Sequence, residues 1–187
     1  MNDRILPSPP QTTLFVSRET SNCPFLSDMI QLGQVLQQHV QEEETGVISM
    51  DYTKRLLINA KNVDIKKMAQ QDIVEIVDYD PLKKILMVIG PKDPAIETPV
   101  HWIIQKARQD VNVLVQINSP VLYENLKTTL PTTEKDTQPA TLERAKEILR
   151  TLRNGKTFLL KNEGMIFAGI NTQEIHSSFQ RYLEGLE

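Results

Sequence analysis

The sequence predicts an α/β protein in which helices cover both faces of a mixed or antiparallel sheet. Stretches with apolar residues at helical spacing are interspersed with short runs rich in β-branched residues. The strict strand–helix–strand period of a doubly wound parallel sheet is missing. The 187 residues suffice for one domain with a sizeable core. We predict that domain over 14–187, after an extended or mobile arm at 1–13 that contains three prolines.

Helices are predicted where apolar side chains repeat every three or four residues. Pro99 suits the first turn of one of them, because a missing N–H costs little there, and Thr98 is its predicted cap. The acidic run at 42–44 is interpreted as the solvated end of the first helix. The predicted helices are 24–41, 98–108, 120–126, 141–153 and 172–183.

Strands are predicted where β-branched residues alternate with others or form a short apolar run between turn signals. The first two flank a short turn and predict a hairpin, and the last two flank the turn at 162–164. The polar segment 128–139 is predicted to be a long exposed loop. The predicted strands are 47–51, 55–59, 73–77, 85–89, 111–117, 158–160 and 165–168.

Composition argues against several kinds of partner. A formal charge of −3 gives no reason to expect nucleic acid or an anionic membrane as a partner. No apolar run has the length of a membrane span, and an apolar secretory leader is not apparent. The single cysteine, Cys23, cannot form an internal disulfide or a cysteine zinc site. A cytoplasmic location is the default expectation.

Glu97 is the one candidate catalytic residue that its local pattern indicates. It stands at the start of a predicted helix, where the helix dipole stabilises a carboxylate. The alternative is a general acid/base positioned at a junction before the helix. The three histidines, His39, His101 and His176, all lie on predicted helices and are too far apart in sequence to form a local metal pair.

Several stretches together resemble the class II aldolase/adducin family, in that family's order and approximate spacing. Asp72–Asp78 is similar to its Ile-Val-x-Val-Asp strand, and Pro94–His101 to its segment with a glutamate four residues before a histidine. Leu159–Gly169 is similar to its Leu-Leu-x-Asn-His-Gly hairpin. The resemblance covers roughly two-thirds of the chain. Its other stretches are Gly46–Ser49, Leu57–Asn62 and Arg108–Pro120.

The resemblance implies a three-layer α/β/α sandwich with a mixed, largely antiparallel sheet of about nine strands. It also implies a homo-oligomer, often a tetramer with sites between subunits. The family's enzymes hold a divalent metal with three histidines, and the matching positions here are Gln116, Asn118 and Glu163. Because neutral amides bind transition metals poorly, we expect no resident metal, and the alternative is a weakly bound divalent cation.

The phosphate-binding positions of the family are also altered. Gly46 and Ser49 remain, but hydroxyl side chains are missing from Ala95 and Ile96, which cannot cradle phosphate oxygens. Lys61 can still attract a small anionic molecule. Glu97 matches the family's acid/base, and His101 lies at the family's four-residue step after it.

Three functional hypotheses follow from these positions. The favoured one is a non-catalytic family member with a binding or scaffold role. The alternative is a divergent sugar-phosphate aldolase or epimerase that uses Glu97 as acid/base with a weakly bound cation at Glu163. The third is an interaction module whose likeness to the family is coincidental.

Overall fold

The computed structural model describes residues 11–36, 38–40 and 45–184. Within these ranges eight strands and five α-helices are interspersed along the chain. The strands are β1 (Thr12–Ser17), β2 (Thr45–Tyr52), β3 (Arg55–Asn59), β4 (Ile73–Asp80), β5 (Ile85–Ile89), β6 (Val113–Asn118), β7 (Thr157–Leu160) and β8 (Gly164–Gly169). The helices are α1 (Leu26–Leu36), α2 (Thr98–Ala107), α3 (Pro120–Leu126), α4 (Leu142–Thr151) and α5 (Thr172–Leu183).

All eight strands join one sheet in the order β1-β5-β4-β3-β2-β6-β8-β7. Only β1 and β5 pair in parallel, and every other neighbouring pair is antiparallel. The predicted mixed, largely antiparallel sheet is therefore confirmed. β1 begins at Thr12, inside the range predicted as an arm, whereas residues 1–10 of that arm lie outside the described residues.

The helices form one layer on each side of the sheet, as predicted. Apolar side chains of α1, α3 and α5 pack on one face, around residues such as Leu32, Leu122 and Phe179. On the other face α2 and α4 bury Ile104 and Ile148 against the strands. Because burial of apolar surface drives this packing, the helical stripes recognised in the sequence decide which face each helix covers.

The alternation of side chains in β6 determines where the polar residues of this strand point. Val113, Val115 and Ile117 enter the core beneath α1, α3 and α5. Gln116, which lies between Val115 and Ile117, and Asn118, which follows Ile117, consequently face the α2–α4 layer. Asn118 pairs with Thr45 at the start of β2 and with Gly164 at the start of β8, so three strand ends meet at one edge.

Three local predictions need correction. The first helix ends at Leu36 instead of 41, and the acidic run at 42–44 lies outside the described residues. The cap of α2 is Glu97 rather than Thr98, which is the first helical residue and donates its hydroxyl to the Ala95 carbonyl, 2.6 Å away. Segment 128–139 is irregular but not uniformly exposed, since Leu130, Thr133 and Thr137 are buried.

Candidate functional site

A pocket of about 470 Å³ opens where the ends of these strands meet. Five of the residues singled out in the sequence line it. The other three, Ser49, His101 and Gln116, are fully buried beneath it in the α2–α4 layer. The five that line the pocket are Gly46, Lys61, Glu97, Asn118 and Glu163.

The carboxylates of Glu97 and Glu163 both pair with one buried guanidinium, which is not among the predicted site residues. Arg144 of α4 is 1% exposed, and its Nη1 donates to Glu97 Oε1. Nη1 also lies 3.0 Å from Glu163 Oε1, and Nη2 lies 2.7 Å from Glu163 Oε2. The Arg144–Glu163 pair is thus bidentate, which is the strongest geometry for an arginine–carboxylate pair.

The irregular segment before α4 completes this cluster. The Thr137 carbonyl accepts a hydrogen bond from Arg144 Nη2. The backbone N–H of Ala140 donates to Glu97 Oε2 over 3.1 Å, and Ala140 has a φ of 58°, which is unusual for a residue with a Cβ. The carboxylate of Glu97 therefore bonds to this segment and to Arg144, and not to the first-turn amides of α2.

A signal for Arg144 exists in the sequence. Arg144, Glu147, Ile148 and Thr151 are buried residues of α4 at helical spacing, so a charged side chain occupies the stripe that faces the core. A charged residue is seldom fully buried unless it is paired. The arginine was missed because its partners, Glu97 and Glu163, lie 47 and 19 residues away in the sequence.

Burial raises the pKa of the Glu97 carboxyl above its ordinary value of 4.5. The positive charge of Arg144 and the N–H of Ala140 oppose this shift, whereas the negative charge of Glu163 adds to it. The carboxyl is 5% exposed and lines the pocket. A buried carboxyl with a raised pKa is the environment in which a general acid/base is found, as well as one in which a structural ion pair occurs.

Beneath the pocket, Ser49 and His101 form a buried polar pair. Ser49 Oγ lies 2.7 Å from His101 Nδ1. The Gln105 side chain donates to the same hydroxyl from 3.1 Å. Burial lowers the pKa of His101 from 6.5 to about 3, with the Gln116 side chain acting in the opposite direction. The ring is therefore neutral throughout the physiological pH range.

We expect His101 to make folding sensitive to acid. Between pH 6.5 and about 3 the unfolded chain binds a proton at this ring that the folded protein excludes, so stability falls as pH falls. The slope is about 1.4 kcal/mol per pH unit, or about 2 kcal/mol between pH 6.5 and pH 5. Urea unfolding of wild type and His101→Gln at about pH 7 and pH 5 measures it. Equal losses of stability in the two proteins would contradict the assignment of this acid sensitivity to His101.

The sequence profile described as Class II Aldolase and Adducin N-terminal domain matches residues 27–123, just over half of the chain. The matched stretch runs from α1 to α3 and includes Gly46, Glu97 and Asn118. The chain belongs to this family. The resemblance inferred from short stretches of sequence is thereby confirmed.

Solved structures agree on the fold. An L-fuculose 1-phosphate aldolase matches with a TM-score of 0.67 at 16% identity, over 87% of this chain and 86% of that chain. L-fuculose-1-phosphate aldolase from Thermus thermophilus matches with 0.67 at 18% identity, over 87% and 90%. A putative aldolase/epimerase/decarboxylase from Escherichia coli matches with 0.67 at 13% identity, over 87% and 86%.

At these identities the structures establish the class II aldolase-like fold alone. No curated protein is significantly similar to the chain in sequence. Across the described residues, no helix is both long and apolar enough to cross a membrane.

Gln116, Asn118 and Glu163, which the resemblance assigned to the metal-ligand positions of the family, are engaged with each other or with Arg144. Gln116 Nε2 donates to Asn118 Oδ1 over 2.9 Å, and both oxygens of Glu163 accept from Arg144. No group of three histidine, cysteine, aspartate or glutamate side chains within the described ranges is arranged to hold a metal. The residues present do not fit the divalent metal of the family, because a cationic guanidinium already occupies its carboxylate ligand.

Aliphatic side chains occupy several of the positions that the resemblance assigned to phosphate binding. Val47, Ala60 and Ala95 line the pocket, and so does Ile96, which is 53% exposed. The one lysine on the wall is Lys61, whose side chain makes no hydrogen bond or ion pair to the described residues. Lys61 therefore offers the pocket a cation that is free to meet an anionic group.

Proposed function

We propose that this class II aldolase-like chain is non-catalytic and binds a small molecule in the pocket described above. The observation that carries the proposal is the placement of the Arg144 guanidinium between Glu97 and Glu163. It contacts Glu163, which the family resemblance assigns to a metal-ligand position. A fixed internal cation thus neutralises the carboxylates that would otherwise attract one.

Arg144 cannot take over the electrophilic role of a metal. Carbon–carbon cleavage or proton abstraction beside a carbonyl needs a group that stabilises the developing negative oxygen. The four terminal N–H groups of Arg144 donate to Glu97, to Glu163 twice and to the Thr137 carbonyl. Its remaining Nε is buried without a partner among the described residues, where a substrate oxygen cannot reach it.

The charge distribution of the pocket supports a small ligand with an anionic group. Lys61 and Glu163 both line the pocket, and the charge of Glu163 is balanced by Arg144. Neutral amides of Asn62 and Asn118 also line the pocket, whereas the amide of Asn59 is already bonded to the backbone of Gly46, Ile48 and Ala60. A ligand that combines an anionic end with neutral polar groups fits this lining.

Metal analysis of pure protein tests the proposal. After incubation with Zn²⁺ or Mn²⁺ and desalting, we expect well under one metal ion per chain and an unchanged thermal midpoint, because metal binding would require Glu163 to leave Arg144. The matched variant Glu163→Gln should retain as little metal as the wild type. Near-stoichiometric metal that disappears in Glu163→Gln would refute the proposal.

A second candidate function rests on the raised pKa of Glu97 and its place in the pocket wall. In this hypothesis the chain is a divergent sugar-phosphate aldolase or epimerase, with Glu97 as acid/base and a weak cation at Glu163. It predicts turnover of a phosphorylated ketose that is abolished in Glu97→Gln. Absence of turnover with and without Mg²⁺ or Mn²⁺ would remove this candidate.

The family also supports two broader proposals. We expect a homo-oligomer, with a tetramer as the first expectation, and sedimentation equilibrium of the full chain tests it. We also propose a cytoplasmic location, which agrees with the family and with a single cysteine, Cys23, that cannot form an internal disulfide.

A further inference from the structure

We infer that a one-way chain of neutral hydrogen bonds holds Asn118 as a donor at the pocket, so that the pocket selects ligands presenting an acceptor oxygen there. A carbonyl or carboxylate compound has such an oxygen. The inference rests on the proposed binding function and adds the chemical class of group that Asn118 recognises. It follows from five polar side chains in the α2–α4 layer.

The chain starts at Gln105 of α2, whose amide orientation is fixed by backbone carbonyls. Gln105 Nε2 lies 3.3 Å from the Ser49 carbonyl and 3.5 Å from that of Asn112, both of which can only accept. The same nitrogen donates to Ser49 Oγ over 3.1 Å. Since the Ser49 hydroxyl accepts from Gln105, its own hydrogen is available for His101 Nδ1, 2.7 Å away.

The direction continues through the imidazole. A neutral ring that accepts at Nδ1 carries its hydrogen on Nε2. Nε2 of His101 and Oε1 of Gln116 are both buried, and each is without a hydrogen-bond partner among the residues the structure describes. Since one is a donor and the other an acceptor, we join them as the link that satisfies both groups.

The last link turns the Asn118 amide outward. Gln116 Nε2 donates to Asn118 Oδ1 over 2.9 Å, which is the orientation that leaves Gln116 Oε1 to accept from His101. The Asn118 oxygen is therefore engaged by Gln116 rather than by the pocket. Asn118 presents Nδ2, which makes one long contact of 3.3 Å with Thr45 Oγ1 and has a second hydrogen for a ligand.

A chain whose members all donate in one direction polarises each following bond and strengthens the final donor. The positive end of this chain lies at Asn118, which the family resemblance assigns to the position of a metal-binding histidine. A ligand oxygen is attracted by that end, and a cation is repelled. Lys61, which also lines the pocket, favours the same kind of ligand, one with acceptor oxygens and negative charge.

The direction of the chain is tested on ligand-free protein by ¹⁵N NMR of the His101 ring. We expect the tautomer with hydrogen on Nε2 and no titration between pH 7 and pH 5. The tautomer with hydrogen on Nδ1 would overturn the inference, because every later link would then reverse. This measurement is independent of metal content, so its failure is distinguishable from failure of the proposed function.

Recognition is tested with pyruvate, which offers acceptor oxygens and no donor at neutral pH. Titration followed by NMR should shift the Asn118 side-chain amide in the wild type, and Asn118→Asp should weaken pyruvate binding at least about tenfold. The control Asn62→Asp places the same negative charge elsewhere in the pocket lining and should weaken binding less. Equal weakening in both variants, or no shift at Asn118, would overturn the inference.

Discussion

Replacing Arg144 with methionine is expected to lower the free energy of unfolding by about 3–5 kcal/mol, because it leaves a buried carboxylate without its cation. The Glu97 and Arg144 side chains are 6% and 2% exposed, so solvent screens the pair very little. The Thr137 carbonyl also loses its donor. Methionine retains much of the side-chain volume, which keeps the loss of packing small compared with the loss of charge compensation.

Urea unfolding at neutral pH measures this effect against a matched variant. Arg181→Met makes the same change on the exposed surface of α5 and should alter stability by less than about 0.5 kcal/mol. Adding Glu97→Gln to Arg144→Met should recover part of the loss, since the uncompensated charge is then gone. Equal stability of the two arginine variants would show that the buried ion pair contributes nothing.

The pH dependence of the free energy of unfolding of Arg144→Met distinguishes lost charge compensation from lost packing. Without Arg144 the pKa of Glu97 rises further above its unfolded value of 4.5, because the main opposing charge is removed. A raised pKa in the folded state means that the fold gains stability as pH falls toward 4.5. We therefore expect the deficit of the variant, relative to wild type, to shrink between pH 7 and pH 5. A packing defect alone would leave it constant.

The fold could be predicted because the spacing of apolar residues distinguishes its helices from its strands. Stretches such as 85–89 and 120–126 have the same bounds in the structure as in the prediction. Segment 128–139 was misjudged because its composition is polar and proline-containing, which is typical of exposed loops. Three-dimensional partners bury Thr137 there, since its carbonyl accepts from an arginine of the following helix.

The candidate site was only partly predictable, for a geometric reason. Asn118 and Glu163 were assigned to one site by the family resemblance, and both line the pocket because the end of β6 and the turn before β8 meet at one sheet edge. Ser49 and His101 were assigned to the same site, although they lie one layer deeper and contact each other. Arg144 escaped notice because ion pairs between distant segments leave no local sequence pattern.

Gly164→Ala is the second change with a large expected effect, because the backbone at the pocket leaves no room for a Cβ. That atom would lie 1.9 Å from the Ile117 carbonyl oxygen and 2.8 Å from the Ser119 nitrogen. Both are backbone atoms, so relief requires β6 and β8 to move apart. We expect a loss of about 3 kcal/mol, at the upper end of typical overpacking costs.

The same displacement should reach the pocket, since Gly164 pairs with Asn118 and directly follows Glu163. Moving β8 away from β6 lengthens the distance from Glu163 to the rest of the lining, so pyruvate affinity should fall together with stability. Gly155→Ala is the control, because its Cβ would meet nothing closer than 3.9 Å, and we expect a change within about 0.5 kcal/mol. Urea unfolding of both variants decides the matter. Equal stability of Gly164→Ala and Gly155→Ala would mean that β6 and β8 do not approach as closely in solution as the pairing of Asn118 with Gly164 requires. The arrangement of the pocket edge described above would then be wrong.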